Sequence, residues 1–255
     1  MYNARYFHYD GIWSGMYGLQ LADFDSDSVR ETETYARNLS VLKVPSLVRF
    51  FYGGDDETSA PECEFAVISQ EGIPGEMRGE ILSWLVGRKG FKPLILEDDD
   101  NSGFTYYCNF TRAETIWING LCHGFRLTGT LDSYFARGVP TVAKAAAGTH
   151  EIKIQNRSDI VDEYVYPKVE FTGSSVSIIN KTDDPARAFE FTGLDSDEKI
   201  VVDNELRTIE SSTSDMRLDK FNKNWLRLRR GSNTLSITSE GDVTITCPRY
   251  ALIGY

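Results

Sequence analysis

The chain is poor in cysteine, histidine and basic charge, and it has no long apolar run. Four cysteines in 255 residues (Cys63, Cys108, Cys122 and Cys247) are too scattered for a disulfide scaffold, and no C-x-x-C pair points to zinc or redox chemistry. We expect buried, reduced thiols, although Cys108 and Cys122 fall on neighbouring expected strands, where a bridge is conceivable. The three histidines, His8, His123 and His150, stand far apart. None adjoins a G-x-S-x-G elbow, so a nucleophilic triad finds no support. No segment approaches the roughly 18 apolar residues of a membrane span, and the start lacks the basic-then-apolar pattern of a secretory leader. With 27 Lys+Arg against 38 Asp+Glu the net charge is -11, which argues against phosphate neutralisation as the main task. The phosphate-cradling patterns G-x-x-x-x-G-K-S/T and G-x-G-x-x-G are both missing.

What is present reads as a foldable, strand-rich chain: 41% hydrophobic, 25% charged and 12% aromatic, with 13 Tyr and 14 Phe. β-branched and aromatic residues cluster in short runs between Gly, Asn, Asp and Ser. Arg5–Tyr9 and Trp13–Leu21 flank an Asp10-Gly11 turn. Val41–Val44 and Leu47–Tyr52 are split by Pro45, followed by an expected loop at Gly53–Asp56. Thr115–Ile118 and His123–Leu131 flank Asn119-Gly120, a strong hairpin signal. Only one stretch reads as helix, over about 76–87. There Met77, Ile81, Trp84 and Leu85 recur at helical spacing, Pro74 suits the first turn, and Gly87 or Gly90 can stop it.

A small-residue stretch from Ala136 to Gly148 marks a change of texture. We therefore expect two domains, 1–137 and 150–255, joined by a linker at 138–149. In the second half short strands follow every 8 to 12 residues, including Tyr164–Phe171 and Trp225–Leu228, which fits an antiparallel sandwich. The expected fold class is all-β with one short helix.

Tests for chemistry come back empty. Asp98–Gly103 imitates the start of a calcium loop, but the twelfth position is Asn109 rather than Glu, and strands flank it. Asp25–Asp27 and Asp195–Asp197 read as turns. Glu64, Glu170 and Glu190 alternate with apolar neighbours as solvent-facing strand positions do, and no acid sits in an apolar run that would raise its pKa for glycoside hydrolysis. Arg227, Arg229 and Arg230 read as the polar face of a strand and its turn. We assign no catalytic, cofactor-binding or metal residue, and no cofactor.

Three stretches carry a resemblance. Tyr6–Leu19, with its aromatic strand, Asp-Gly turn and Ser14-Gly15-Met16-Tyr17-Gly18-Leu19, is similar to the start of siphophage distal tail proteins. The lone helix Arg78–Val86, followed by Pro93–Leu96 and Thr105–Tyr107, resembles that family's single helix and following strands. Pro167–Gly173, Phe189–Leu194 and Gly231–Ile237 resemble its C-terminal half. The resemblance implies an N-terminal ring-forming β-sandwich and a C-terminal galectin-like β-sandwich. It further implies a structural hub: a homo-hexameric ring at the distal end of a long non-contractile tail, joining tail tube to receptor-binding apparatus. The implied partners are the tail tube protein, the tape measure protein and a tail-associated fibre or lysin. DNA would pass through without specific binding, and no membrane is involved. Such a protein is made in the host cytoplasm and ends in the virion at the tail tip. The alternative from residues alone is a carbohydrate-binding adhesion module using an exposed aromatic such as Trp225 or Tyr164. The residues that form a ring interface are left unassigned.

Overall fold

The computed structural model describes residues 6–22, 60–97, 103–213 and 216–252, with the backbone of 39–43 and 50–55. It divides into two compact units, the first running to Ala136 and the second covering Arg137–Ala251.

In the first unit the strands are β1 (Phe7–Tyr9), β2 (Ile12–Trp13), β3 (Gln20–Ala22), β4 (Leu39–Lys43), β5 (Phe50–Asp55), β6 (Glu62–Ile68), β7 (Lys92–Leu96), β8 (Tyr106–Ile118) and β9 (Leu121–Leu131), with helix α1 at Gly75–Leu85. Seven of them form one antiparallel sheet in the order β2-β1-β7-β8-β9-β6-β3, and β4 pairs with β5 apart from it. Alternation decides the inward face. On β6, Cys63, Phe65 and Val67 are buried while Glu62 and Glu64 point out. Asp10-Gly11 and Asn119-Gly120 take positive φ at both residues (50° and 78°, 49° and 80°), which matches a two-residue hairpin turn to strand twist.

The helix lies where the spacing places it, and its Ile81, Trp84 and Leu85 are buried. Trp84 is the hub of its packing. Its ring stacks on Phe7 at 5.9 Å and meets Tyr17 at 5.3 Å, and its Nε1 donates to the Tyr9 carbonyl at 2.8 Å. The helix stops at Leu85 rather than 87, and the chain beyond it passes so close to the Ser83 backbone that only a residue without a Cβ fits at Gly87. Gly53–Asp55, expected as loop, belongs to β5. Pro45, Asp25–Asp27 and the first five residues of the calcium-like run (98–102) lie outside the described residues.

In the second unit the strands are β10 (Ala136–Ala145), β11 (Gly148–Asn156), β12 (Lys168–Thr172), β13 (Val176–Asn180), β14 (Ala188–Phe191), β15 (Lys199–Asp203), β16 (Thr208–Ser211), β17 (Gly231–Ser239) and β18 (Val243–Ala251). A five-stranded sheet, β10-β18-β12-β15-β16, and a four-stranded one, β11-β17-β13-β14, enclose a single core between them. Phe171 of one sheet meets Phe191 of the other at 5.4 Å, and Phe191 stacks on Phe221 at 4.6 Å.

Two expectations fail here. Residues 138–149 are no linker. They carry most of β10 and the start of β11, the edge strands of the two sheets. Their small residues suit strand edges as well as they suit a loop, and composition does not separate the two. Trp225–Leu228 is no strand, since only Leu228 bridges Val165. Its backbone is satisfied by side-chain amides instead. Leu226 N–H donates to Asn204 Oδ1 at 2.8 Å, and the Arg227 carbonyl accepts from Asn180 at 2.9 Å.

Candidate functional site: surfaces and polar clusters

The histidines each find a local partner. His8 meets Glu97 at 2.9 Å, while the ring nitrogens of His123 and His150 lie 3.0 Å and 3.2 Å from the Ser69 and Ala147 carbonyls. Among the described residues no group of three or more His, Cys, Asp or Glu is placed to hold a metal ion. All four cysteines are free and buried. Cys108 lies beside Cys63, sulfur to sulfur 3.4 Å, and not beside Cys122, whose register partner is Trp117. The two thiols meet over Gly129, where a Cβ would stand 2.9 Å from the Cys108 sulfur. The hydrogen-bonded neighbour Cys63, and after it burial, push the Cys108 thiol far up, so it stays protonated.

The first unit shows two outward features. The β8–β9 hairpin outruns its neighbours: β7 pairs with β8 only over Tyr106–Cys108, and β6 pairs with β9 over Gly124–Thr130. From Asn109 to Ile118 the outer edge of β8 therefore has no strand partner among the described residues. Its tip carries Trp117, Ile118 and Leu121, which are 56%, 46% and 61% exposed. The Arg78 guanidinium sits 5.3 Å from the Trp117 ring and orients it. The second feature is a row across the sheet, where Trp13, His8 and Ile95 are paired in register. Trp13 and Ile95 are exposed, and Met16 and Phe91 add to the apolar surface of this unit.

The second unit instead buries charge. Asp183, 4% exposed, accepts from Tyr164 Oη at 2.8 Å, Arg227 Nε at 2.7 Å and Arg229 Nε at 3.2 Å, and the Arg227 guanidinium lies 4.1 Å over the Tyr164 ring. Burial alone would raise the Asp183 carboxyl, but the hydrogen bonds from Arg227 and Tyr164 outweigh it and hold the group below its ordinary value. Of the arginines expected on a solvent face, Arg227 is tied inward to this carboxylate, whereas Arg229, which also reaches it, and Arg230 keep more than half of their side chains exposed. Glu198 is fully buried and bonded to Arg217 Nε at 2.7 Å and to Ser211. The hydrogen bond from Arg217 holds its carboxyl down to about 2 against the opposing effect of burial. Sequence reading missed both carboxylates because their partners lie 44 and 19 residues away. Trp225, one candidate platform, is half-buried and packs edge-on against Phe221 at 4.8 Å.

Comparison with known proteins bears on these surfaces. A family model described as a phage tail protein N-terminal domain matches residues 2–133, and one described as a phage tail C-terminal domain matches 141–247. None of the curated proteins matches. Among solved structures, the chain is similar to the Dit (gp 19.1) protein of phage SPP1, described as a paradigm of hub adsorption apparatus in Gram-positive infecting phages. The TM-score is 0.68 at 14% identity, covering 96% of this chain and 98% of that one. A chain of the phage P2 baseplate, in its activated conformation with Ca, is similar at TM-score 0.51 and 8% identity, covering 91% and 90%. With Sr the values are 0.52 and 7% over the same shares. The likeness is one of fold.

Proposed function

The chain belongs to the phage tail protein family of those two domain models and is a structural component of the tail; on that premise we propose that six copies close into a ring at the distal end of a long non-contractile tail. The ring joins the tail tube to the receptor-binding apparatus, with the tape measure protein and a fibre or lysin as further neighbours. The single observation that carries this reading is the likeness in fold, over almost the whole of both chains, to a protein described as a hub of an adsorption apparatus.

The surfaces of the first unit support it. An unpaired strand edge is a template for another chain, and a heterologous contact that closes after a fixed rotation makes a ring. The outer edge of β8 offers such a template, and the Trp117–Leu121 tip supplies apolar area next to it. A permanent contact needs on the order of 2,000 Å² or more, which explains why this unit leaves large apolar side chains outside its own core. A net charge of -11 suits a ring that DNA crosses without being gripped. The second unit serves as the galectin-like domain that meets the receptor-binding apparatus.

The test is gold labelling of this protein in intact virions. Label confined to the tail's distal end is expected, whereas label along the tube or at the capsid rejects the reading.

A further inference from the structure

A depression of about 440 Å³ on the second unit is lined by Val161, Asp162, Glu163, Tyr164, Arg229 and Arg230. Its floor is built rather than incidental. The Tyr164 hydroxyl is fastened to buried Asp183, its ring lies under the Arg227 guanidinium at 4.1 Å, and Arg229 is anchored to the same carboxylate. Asn233 accepts from the Arg229 N–H at 3.0 Å and donates to its carbonyl at 2.7 Å, fixing the backbone that carries the arginine. A phenol and a guanidinium held this way lose little freedom when something docks on them, which lowers the cost of binding. The rim is freer. The Arg229 and Arg230 side chains are 54% and 55% exposed, Val161 is 58% exposed, and Asp162 and Glu163 are exposed as well.

Charge decides the class of ligand. The cations around the depression are Arg227, Arg229 and Arg230, and the carboxylates are Asp159, Asp162, Glu163 and Asp183. In the lining itself Arg229 and Arg230 are balanced by Asp162 and Glu163, so a phosphate or another anion meets as much repulsion as attraction. A neutral polyhydroxylated ligand fits both signs. Its hydroxyls donate to Asp162 and Glu163 and accept from Arg229 and Arg230, while its C–H faces rest on Tyr164 and Val161. The geometry points to a binding site for a neutral saccharide in this depression. The site is independent of ring closure, because every residue in it belongs to one unit of one chain.

The full-length protein is to be applied to an array of neutral hexose and N-acetylhexosamine oligosaccharides, with poly(glycerol phosphate) as the anionic arm. Retention on at least one neutral oligosaccharide is expected. Glu163→Gln and Arg230→Ala, two exposed changes that leave the Asp183 anchorage intact, should each weaken that retention about tenfold. Glu151→Gln, which lies outside the depression, should not. Absence of retention on every neutral oligosaccharide overturns the site. So does retention on poly(glycerol phosphate) alone, or binding by both rim variants as strong as that of the unaltered chain.

Discussion

Among the described residues of the first unit Trp13, Phe91 and Trp117 are exposed, and the buried polar residues are Ser14 and Ser69; among those of the second no Phe or Trp is exposed, and Asn156, Asn180, Glu198, Asn204 and Asn233 are all buried. The first unit encloses aromatics such as Phe7, Tyr9 and Trp84 in its core and still leaves these three outside it. The second encloses its aromatics and uses buried amides and carboxylates to fix segments that are not strands. Large apolar side chains clustered outward, as at the Trp117–Leu121 tip, suit a surface that another chain covers, as in a permanent assembly. Irregular segments held by satisfied polar groups keep their shape without a neighbour, which suits a part that presents a surface.

Two substitutions separate the units most sharply. Trp84→Ala removes the hub of the first core and should cost about 4 kcal/mol. Glu198→Ala takes from the largely buried Arg217 guanidinium its nearer carboxylate, leaving Asp195 at 3.5 Å, and should cost about 3 kcal/mol. Each should lower one unfolding transition and spare the other. The probes exist already, since Trp225 reports on the second unit and Trp13, Trp84 and Trp117 on the first. A loss shared by both transitions would break the comparison.

Acid sharpens it further. Glu198 and Asp183 are both held below their ordinary range. Their stabilising contribution is therefore complete above the ordinary carboxylate value and is lost as pH falls, through about 2 for Glu198. The second unit should lose on the order of 2 kcal/mol on that descent, ahead of the first, in pH-resolved denaturation. A smaller effect is expected from Gly129→Ala, whose new Cβ would press on the Cys108 sulfur and the Phe110 ring at 2.9 Å and 2.8 Å. That crowding should cost about 1 to 3 kcal/mol, confined to the first unit. Smallest of all is the effect of Trp117→Ser combined with Leu121→Ser. These exposed changes should alter the unfolding free energy by less than about 0.5 kcal/mol while removing assembly.

Local signals in the sequence carried much of this. Met77, Ile81, Trp84 and Leu85 gave away the helix because one face repeats every turn, and Asn119-Gly120 gave away the hairpin because few residues accept positive φ there. Strand alternation placed most of the second sandwich. What escaped is long-range. Nothing beside Asp183 or Glu198 announces a guanidinium tens of residues away, and nothing beside Cys108 announces Cys63. The segment at Trp225–Leu228 alternates like a strand, yet amides from Asn180 and Asn204 take the backbone bonds a ladder would have made. The small residues of 138–149 look like a linker because a strand edge, too, tolerates them. The exposed tip of β8–β9 was hidden for a related reason: Trp117 and Ile118 fall in an expected strand, and only the shorter reach of β6 and β7 leaves them outside.

Native mass spectrometry of the full-length chain tests the central claim most directly. Self-association through the first unit predicts a species at six times the 28.8 kDa of one copy, collapsing to a single copy with Trp117→Ser and Leu121→Ser. A chain that stays at 28.8 kDa at every concentration, and when supplied with its tail partners, would contradict it.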